Sequence, residues 1–194
     1  MQKIKQNATI SQKAKAMLFV AICILGACVN ANAKDYAVLK DSYIGFEVKK
    51  FGLMNVKGNF KEFSGELSIS ENGEITALQG EVASASVFSD STKRDKHLLE
   101  SDFLDADAFP TMRLQMLNYT QQSREPQGIK GKLNARLEIR GQSKEVEFHT
   151  VLTQEDSTKL ELSGTINIKD FGIDGSMMNA NTVRIILQTN WQEK

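Results

Sequence analysis

The sequence predicts an all-β domain: an eight-stranded antiparallel barrel interrupted once by a short helix and a lid loop. Three observations carry this expectation. From Asp35 onward apolar residues recur at every second position, the period of half-buried strands. Turn signals separate the runs at Glu71-Asn72-Gly73, Arg140-Gly141-Gln142-Ser143 and Phe171-Gly172-Ile173-Asp174-Gly175. About eight such runs fit one domain, and closing them into a barrel removes the exposed edges that an open sheet would leave.

Ahead of the strands, residues 1–33 read as an export signal. Lys3, Lys5, Lys13 and Lys15 make a basic start with no acid before Asp35, and the run from Ala16 to Cys28 is apolar but short for a bilayer span. Ala31-Asn32-Ala33 then places small residues where a signal peptidase reads, so cleavage after Ala33 is expected. Residues 34–194 would remain as one domain without a membrane span. Leu25-Gly26-Ala27-Cys28 resembles a lipobox and supports a second expectation, a lipoprotein anchored at Cys28. On either route both cysteines, Cys23 and Cys28, lie outside the domain, so its stability must come from packing. The 24 basic and 24 acidic residues of the whole chain balance. With the four early lysines gone the domain is acidic, and it keeps no basic block, so no nucleic-acid partner is expected.

The strands follow in order. Tyr43 to Lys50 puts Ile44, Phe46 and Val48 on one face. Phe63 to Ile69 aligns Phe63, Gly65, Leu67 and Ile69. Leu78 to Ser89 is rich in small residues and weaker in pattern. Thr111 to Leu117 aligns Met112, Leu114 and Met116, and the polar stretch Arg124 to Gly128, with Pro126, reads as the longest break. Lys132 to Gly141 is the cleanest alternation, with Leu133, Ala135, Leu137 and Ile139 opposite Lys132, Asn134, Arg136, Glu138 and Arg140. Val146 and Phe148 mark the next run. Leu160, Leu162, Gly164, Ile166 and Ile168 mark another, and Val183, Ile185, Leu187 and Thr189 the last.

The helical interruption is Ser91 to Met112, STKRDKHLLESDFLDADAFPTM. Ser91 or Thr92 can cap a short helix running to Glu100, and Pro110 ends the loop behind it. This stretch concentrates the chain's chemistry. His97 beside Asp95 or Asp102 could act as a general base, which would make the protein an isomerase or hydrolase acting on a lipid. That reading lacks a nucleophile: there is no Gly-x-Ser-x-Gly elbow, and the domain has no thiol. His149 falls on the polar face of its strand. No catalytic residue is therefore assigned. A metal site is not expected either, because one histidine is available here and Asp105-x-Asp107 lacks the third acid and the glycine of a calcium loop. The remaining reading is a lid. Arg94 and Asp95, and Asp102 with Lys93 or Lys96, would satisfy one another and the loop backbone. Leu98, Phe103, Leu104 and Phe109 would anchor the segment on apolar surface. Arg94, Lys96 or His97 could also meet an anionic head group.

The inward face of the barrel is expected to comprise Ile44, Phe46, Val48, Leu67, Ile69, Met112, Leu114, Met116, Leu133, Leu137, Phe148, Leu162, Ile166, Val183 and Ile185. It is nearly devoid of polar groups, and Ala135 and Gly164 leave volume near it. Such an interior either fills itself, which would make the protein a structural or stress-response module without ligand, or holds one apolar ligand, and pattern alone leaves both open.

Several motifs together resemble one family. Arg94-Asp95-Lys96-His97-Leu98, then Ser101-Asp102-Phe103-Leu104-Asp105 and Phe109-Pro110, carry the most specific part of the likeness. Ile44-x-Phe46-x-Val48, Val56-Lys57-Gly58-Asn59-Phe60, Phe63-Ser64-Gly65, Gly131-Lys132-Leu133, Ile139-Arg140-Gly141 with Lys144, and Asp170-Phe171-Gly172 support it. From about Ala37 to Trp191 the chain resembles the YceI-like family of bacterial periplasmic polyisoprenoid-binding proteins. The resemblance implies a lipocalin-like, extended barrel that encloses a long isoprenoid, a quinone or polyprenyl phosphate, or a fatty-acid-like molecule, in the periplasm, with no catalytic residues and no cofactor besides that lipid. It also implies a homodimer, as is frequent among members. Leu98, Phe103 and Phe109 would close the lid, and Lys50, Arg94, His97 and Lys169 would be the head-group contacts. Lys50 and Lys169 stand where the family usually has His and Arg, so a cation is kept at each. Ser84 to Phe88 departs from the family's usual Ile-Asp-Thr run.

Overall fold

The computed structural model describes residues 33–50, 54–174 and 181–194, with the backbone alone at Lys50 and Met54. The expected export signal and the lipobox at Cys28 lie outside the described residues. The strands are β1 (Ala33–Val38), β2 (Tyr43–Lys50), β3 (Met54–Phe60), β4 (Phe63–Ser70), β5 (Ile75–Ala83) and β6 (Val87–Phe88). After the helix α1 (Thr92–Leu98) come β7 (Thr111–Glu125), β8 (Gly128–Ile139), β9 (Gln142–Gln154), β10 (Thr158–Asn167) and β11 (Thr182–Glu193).

Antiparallel pairing runs β1-β4-β5-β7-β8-β9-β10-β11, and β1 pairs with β11 to close the ring at eight strands. The remaining three continue the sheet as a flap, β11-β2-β3-β6. β11 therefore serves two partners: its C-terminal part meets β1, with Trp191 opposite Val38, and its N-terminal part meets β2, with Val183 opposite Val48. The flap stands at the end of the barrel from which α1 and its loop depart.

Alternation drives this closure. β8 turns Ile129, Leu133, Ala135, Leu137 and Ile139 inward, and β9 turns in Val146, Phe148, Thr150 and Leu152, all buried. Phe148 is opposite Gly164 on β10, and a Cβ on that glycine would come within 2.7 Å of the Phe148 ring. The small residue is what lets the ring lie flat on the neighbouring strand, so Gly164 leaves no void there.

Three details differ from the sequence expectation. β1 belongs to the ring while Tyr43 to Lys50 belongs to the flap. β1 offers Tyr36 as its one buried residue, so it shows no apolar period to read. β3 is likewise a strand that the pattern did not mark. The stretch around Arg124 to Gly128 is a tight hairpin and no long loop, with Glu125 paired to Gly128. β7 stays paired through its polar second half, but register shifts between Met116 and Asn118 and between Gln121 and Ser123 break the two-residue period.

Candidate ligand-binding site

The barrel interior is divided. Toward the helix end lies a cavity of about 180 Å³, within a void of about 1230 Å³ once its mouth is included. Its walls are almost wholly apolar. β2 and β11 contribute facing pairs from their register, Ile44 with Leu187, Phe46 with Ile185 and Val48 with Val183. Met112 and Leu114 come from β7, Leu137 and Ile139 from β8, and Leu162 and Ile166 from β10. Glu81 and Arg113 border it, but their side chains are exposed and pair with each other at 3.4 Å on the outer surface. The Phe46 ring bends over Gly58, its partner on β3, and meets Phe60 at 6.1 Å between ring centres.

Of the residues that the sequence puts inside, Ile44, Phe46, Val48, Met112, Leu114, Leu137, Leu162, Ile166, Val183 and Ile185 border this cavity. Leu67, Ile69, Leu133 and Phe148 lie instead in the packed core, each at most 1% exposed, and Met116 packs against that core. Val38, Phe60, Leu78, Val82, Ile168, Ile173, Leu187, Thr189 and Trp191 also border the cavity and were not counted in the inward face from sequence, although Ile168, Leu187 and Thr189 were read on the apolar faces of their strands. Parity could have offered Leu187, Thr189 and Trp191, since they continue the period of Val183 and Ile185.

The lid is built by hydrogen bonds around Ser89, which is buried at 2% exposure. The Arg94 Nε–H donates to Ser89 Oγ at 2.7 Å, a second guanidinium N–H donates to the Ser89 carbonyl, and Ser89 Oγ donates to Asp95. Arg94 and Asp95 thus meet through one serine. Ser91 caps α1 by accepting from the Arg94 amide at 3.4 Å. Asp102 does not take Lys93 or Lys96 as its partner; its carboxylate is 3.0 Å from His97 Nε2, because α1 ends at Leu98 and the chain folds back beneath the imidazole. The His97 ring stands edge-on to Phe103 at 4.7 Å, and Phe103, Leu98 and Leu104 reach the cavity mouth. Phe109 lies over Gly141, at the turn between β8 and β9, outside the cavity lining.

Arg140 ties three connections together at this end. Its guanidinium is 3.7 Å from Asp105 of the lid loop and donates to the Gly172 carbonyl after β10. Gly172 has φ +69, a left-handed cap that favours glycine. The Asp174 amide adds a bond to the Asp102 carbonyl at 3.1 Å. Ser84, buried at 1%, donates to the Phe109 carbonyl at 2.7 Å and so fastens the far end of the loop.

This arrangement bears directly on chemistry. Asp95 is committed to Ser89, so His97 and Asp95 are not brought together as an acid–base pair. His97 Nε2 and the carboxylates of Glu100 and Asp102 lie within 4.8 Å of one another, but Glu100 is exposed and the ring nitrogen is already engaged by Asp102. Three of the expected head-group cations are also engaged. Arg94 holds Ser89, His97 holds Asp102, and Lys169 holds Asp174 at 2.9 Å. None of the three borders the cavity, and the Lys50 side chain lies outside the described residues.

A closed antiparallel barrel with an apolar hollow beneath a hydrogen-bonded lid belongs to the lipocalin-like class. The chain belongs to the YceI-like domain family, whose pattern matches residues 36–191. A UPF0312 protein of Pseudomonas putida is 25% identical over 183 residues, covering 89% of this chain and 93% of that protein. Among solved structures, the YceI protein of Campylobacter jejuni is 25% identical and superposes with a TM-score of 0.66 over 76% of this chain and 90% of its own. A polyisoprenoid binding domain from Saccharophagus degradans, implicated in plant cell wall breakdown, superposes at 0.61 with 12% identity, over 82% of this chain and 98% of that one. No helix among the described residues is long and apolar enough to cross a membrane.

Proposed function

We propose that the protein is a non-catalytic carrier that holds one long apolar lipid, an isoprenoid or acyl chain, in the cavity beneath α1, and that it works in the periplasm after export. The observation that carries this reading is the lining itself: the inward positions of the strands and three lid residues present hydrocarbon to the hollow, with Arg94, His97 and Lys169 paired elsewhere. Desolvating a chain there contributes roughly 25 cal/mol per Å² before association costs. A wall without charge gives a charged head group nothing to meet, so the buried part of the ligand is uncharged and any head group stays at the mouth. The family's polyisoprenoid-binding relative supports an isoprenoid over other apolar chains.

Native mass spectrometry of protein purified from bacterial periplasm tests this, followed by solvent extraction of whatever is released. The expected result is about one lipid per chain in the wild type and none in Leu137→Trp, whose indole would fill the hollow while the fold stays intact. Equal occupancy in the two proteins would sink the assignment of the cavity. An empty wild type that also refuses added prenyl lipids would sink the carrier reading altogether.

A further inference from the structure

The cavity has a floor, and one residue makes most of it. Along β11 every inward residue from Val183 to Trp191 borders the hollow, and Trp191 is the last. The strands on either side of β11 also leave the cavity wall partway along. On β1, Val38 borders the cavity and Tyr36 does not; on β10, Leu162 does and Leu160 does not. The register places Val38 opposite Trp191, so those two boundaries coincide, whereas on β10 the wall ends higher, at Leu162 opposite Leu187, with Leu160 already beneath the hollow. Below them Tyr36, Leu67, Leu133 and Leu160 close the interior, buried at 5% or less.

Trp191 is held there. Its indole N–H donates to Thr189 Oγ1 at 2.8 Å, and that hydroxyl donates to the Leu160 carbonyl at 2.7 Å. Two polar groups at the bottom of an apolar hollow are thereby satisfied without presenting a donor to a ligand. The far edge of the ring lies against Gly65, where a Cβ would stand 3.4 Å from Cη2. Gly65 faces Gly80 across β4 and β5, so neither strand has a side chain where the indole needs room.

Depth follows from the strand. The step from Val183 to Trp191 on β11 spans ~26 Å at ~3.3 Å per residue. With a strand tilt of ~40° this leaves ~20 Å along the barrel axis. An extended hydrocarbon advances ~1.3 Å per bond of ~1.5 Å, so about fifteen bonds, close to four isoprene units, reach the floor.

We infer that Trp191 is the chain-length stop of this site: it fixes the length of extended chain the protein buries and leaves the rest of a longer ligand at the lid. The inference rests on the carrier reading given above. A titration followed by native mass spectrometry, with uncharged prenyl alcohols of increasing length as probes, tests it. In the wild type, affinity rises several-fold with each isoprene unit and levels off near four. Trp191→Ala moves the plateau up by at least one unit, and Leu187→Trp, which adds bulk above the floor, moves it down. Circular dichroism reports whether each variant is folded; should Trp191→Ala fail to fold, Leu187→Trp and Trp191→Phe still give the direction. A plateau that stays at one length in the folded variants overturns the stop and leaves the carrier reading standing. No binding of any alcohol by the wild type overturns both.

Discussion

The two halves of the barrel interior are built from the same alternation and do opposite things. In the half away from the lid, Leu133, Phe148, Leu152 and Leu160 are at most 1% exposed and fill the space between the strands. In the half toward α1, Leu114, Leu137, Leu162 and Ile185 point inward with equal regularity and enclose a hollow. Residue type does not separate the two, since both are walled by leucine and isoleucine. What separates them is what covers the end. The packed half closes on its own side chains, with Phe148 pressed onto Gly164 and Tyr119 over Gly131. The open half is walled partly by the flap and roofed by a polar network whose lid residues reach the mouth without filling it. A hollow persists because the roof is held from outside, by Ser89, Arg94 and Arg140, and not by packing across the interior.

Four substitutions test that contrast. The largest effect is expected from Leu133→Ala, which should cost about 3–5 kcal/mol because a fully packed site cannot collapse around the gap. Leu114→Ala, facing the hollow, should cost about 1–2 kcal/mol, since contacts are lost on one side only. Urea unfolding of the ligand-free protein measures both, and equal costs would break the division into packed and open halves.

Ser89→Ala comes next. It removes the acceptor of Arg94 Nε and the donor to Asp95 in a buried place, at about 1–3 kcal/mol. If the roof is what preserves the hollow, ligand exchange should also quicken, which stopped-flow displacement of a fluorescent fatty acid would follow. An unchanged exchange rate would separate the serine from the lid's function.

The smallest effect belongs to the packed half. The hydroxyls of Tyr119 and Thr150 are buried near each other with no well-formed hydrogen bond among the described residues, and burial pushes the Tyr119 phenol above its ordinary pKa, against the weaker opposing effect of the Thr150 hydroxyl. Thr150→Val removes one of these hydroxyls at nearly constant volume. The variant should be as stable as the wild type or more stable by up to about 1 kcal/mol. A clear loss in thermal melting would mean that the hydroxyl has a partner.

Much of the fold was legible in the residues. Leu133 to Ile139 alternates without interruption, and Val146 to Leu152 and Val183 to Trp191 nearly so, with Val151 and Ile186 as apolar residues on the outer face, because one face meets apolar interior and the other water. Ser91, with a helix-compatible run behind it, marked α1. Illegible were β1, whose buried face amounts to Tyr36, and the second half of β7, where bulges break the period. The site was legible as a list of inward residues but not as a place. Leu67 and Leu114 look alike in sequence, and only their height in the barrel puts one in the core and the other on the hollow. Arg140 and Trp191 were not picked out for the site because they act on residues far away in the chain, and Ser89 because it lies ahead of the helix that it fastens.

By itself the sequence determined the all-β class, the inward parity of the long strands, the helix cap and the concentration of polar residues in one lid segment. Those are consequences of local chemistry, a period of two and the capping of an orphan amide, which a few neighbouring residues suffice to specify. The tertiary structure decided which strands close the ring, that Asp102 takes His97 and Asp95 takes Ser89, and where the hollow ends at Trp191. Ring closure and the end of the hollow depend on distances between residues far apart in the chain, which only the register and closure of the barrel set; the two lid pairings join residues five and six apart, and the path of the loop against the barrel selects them.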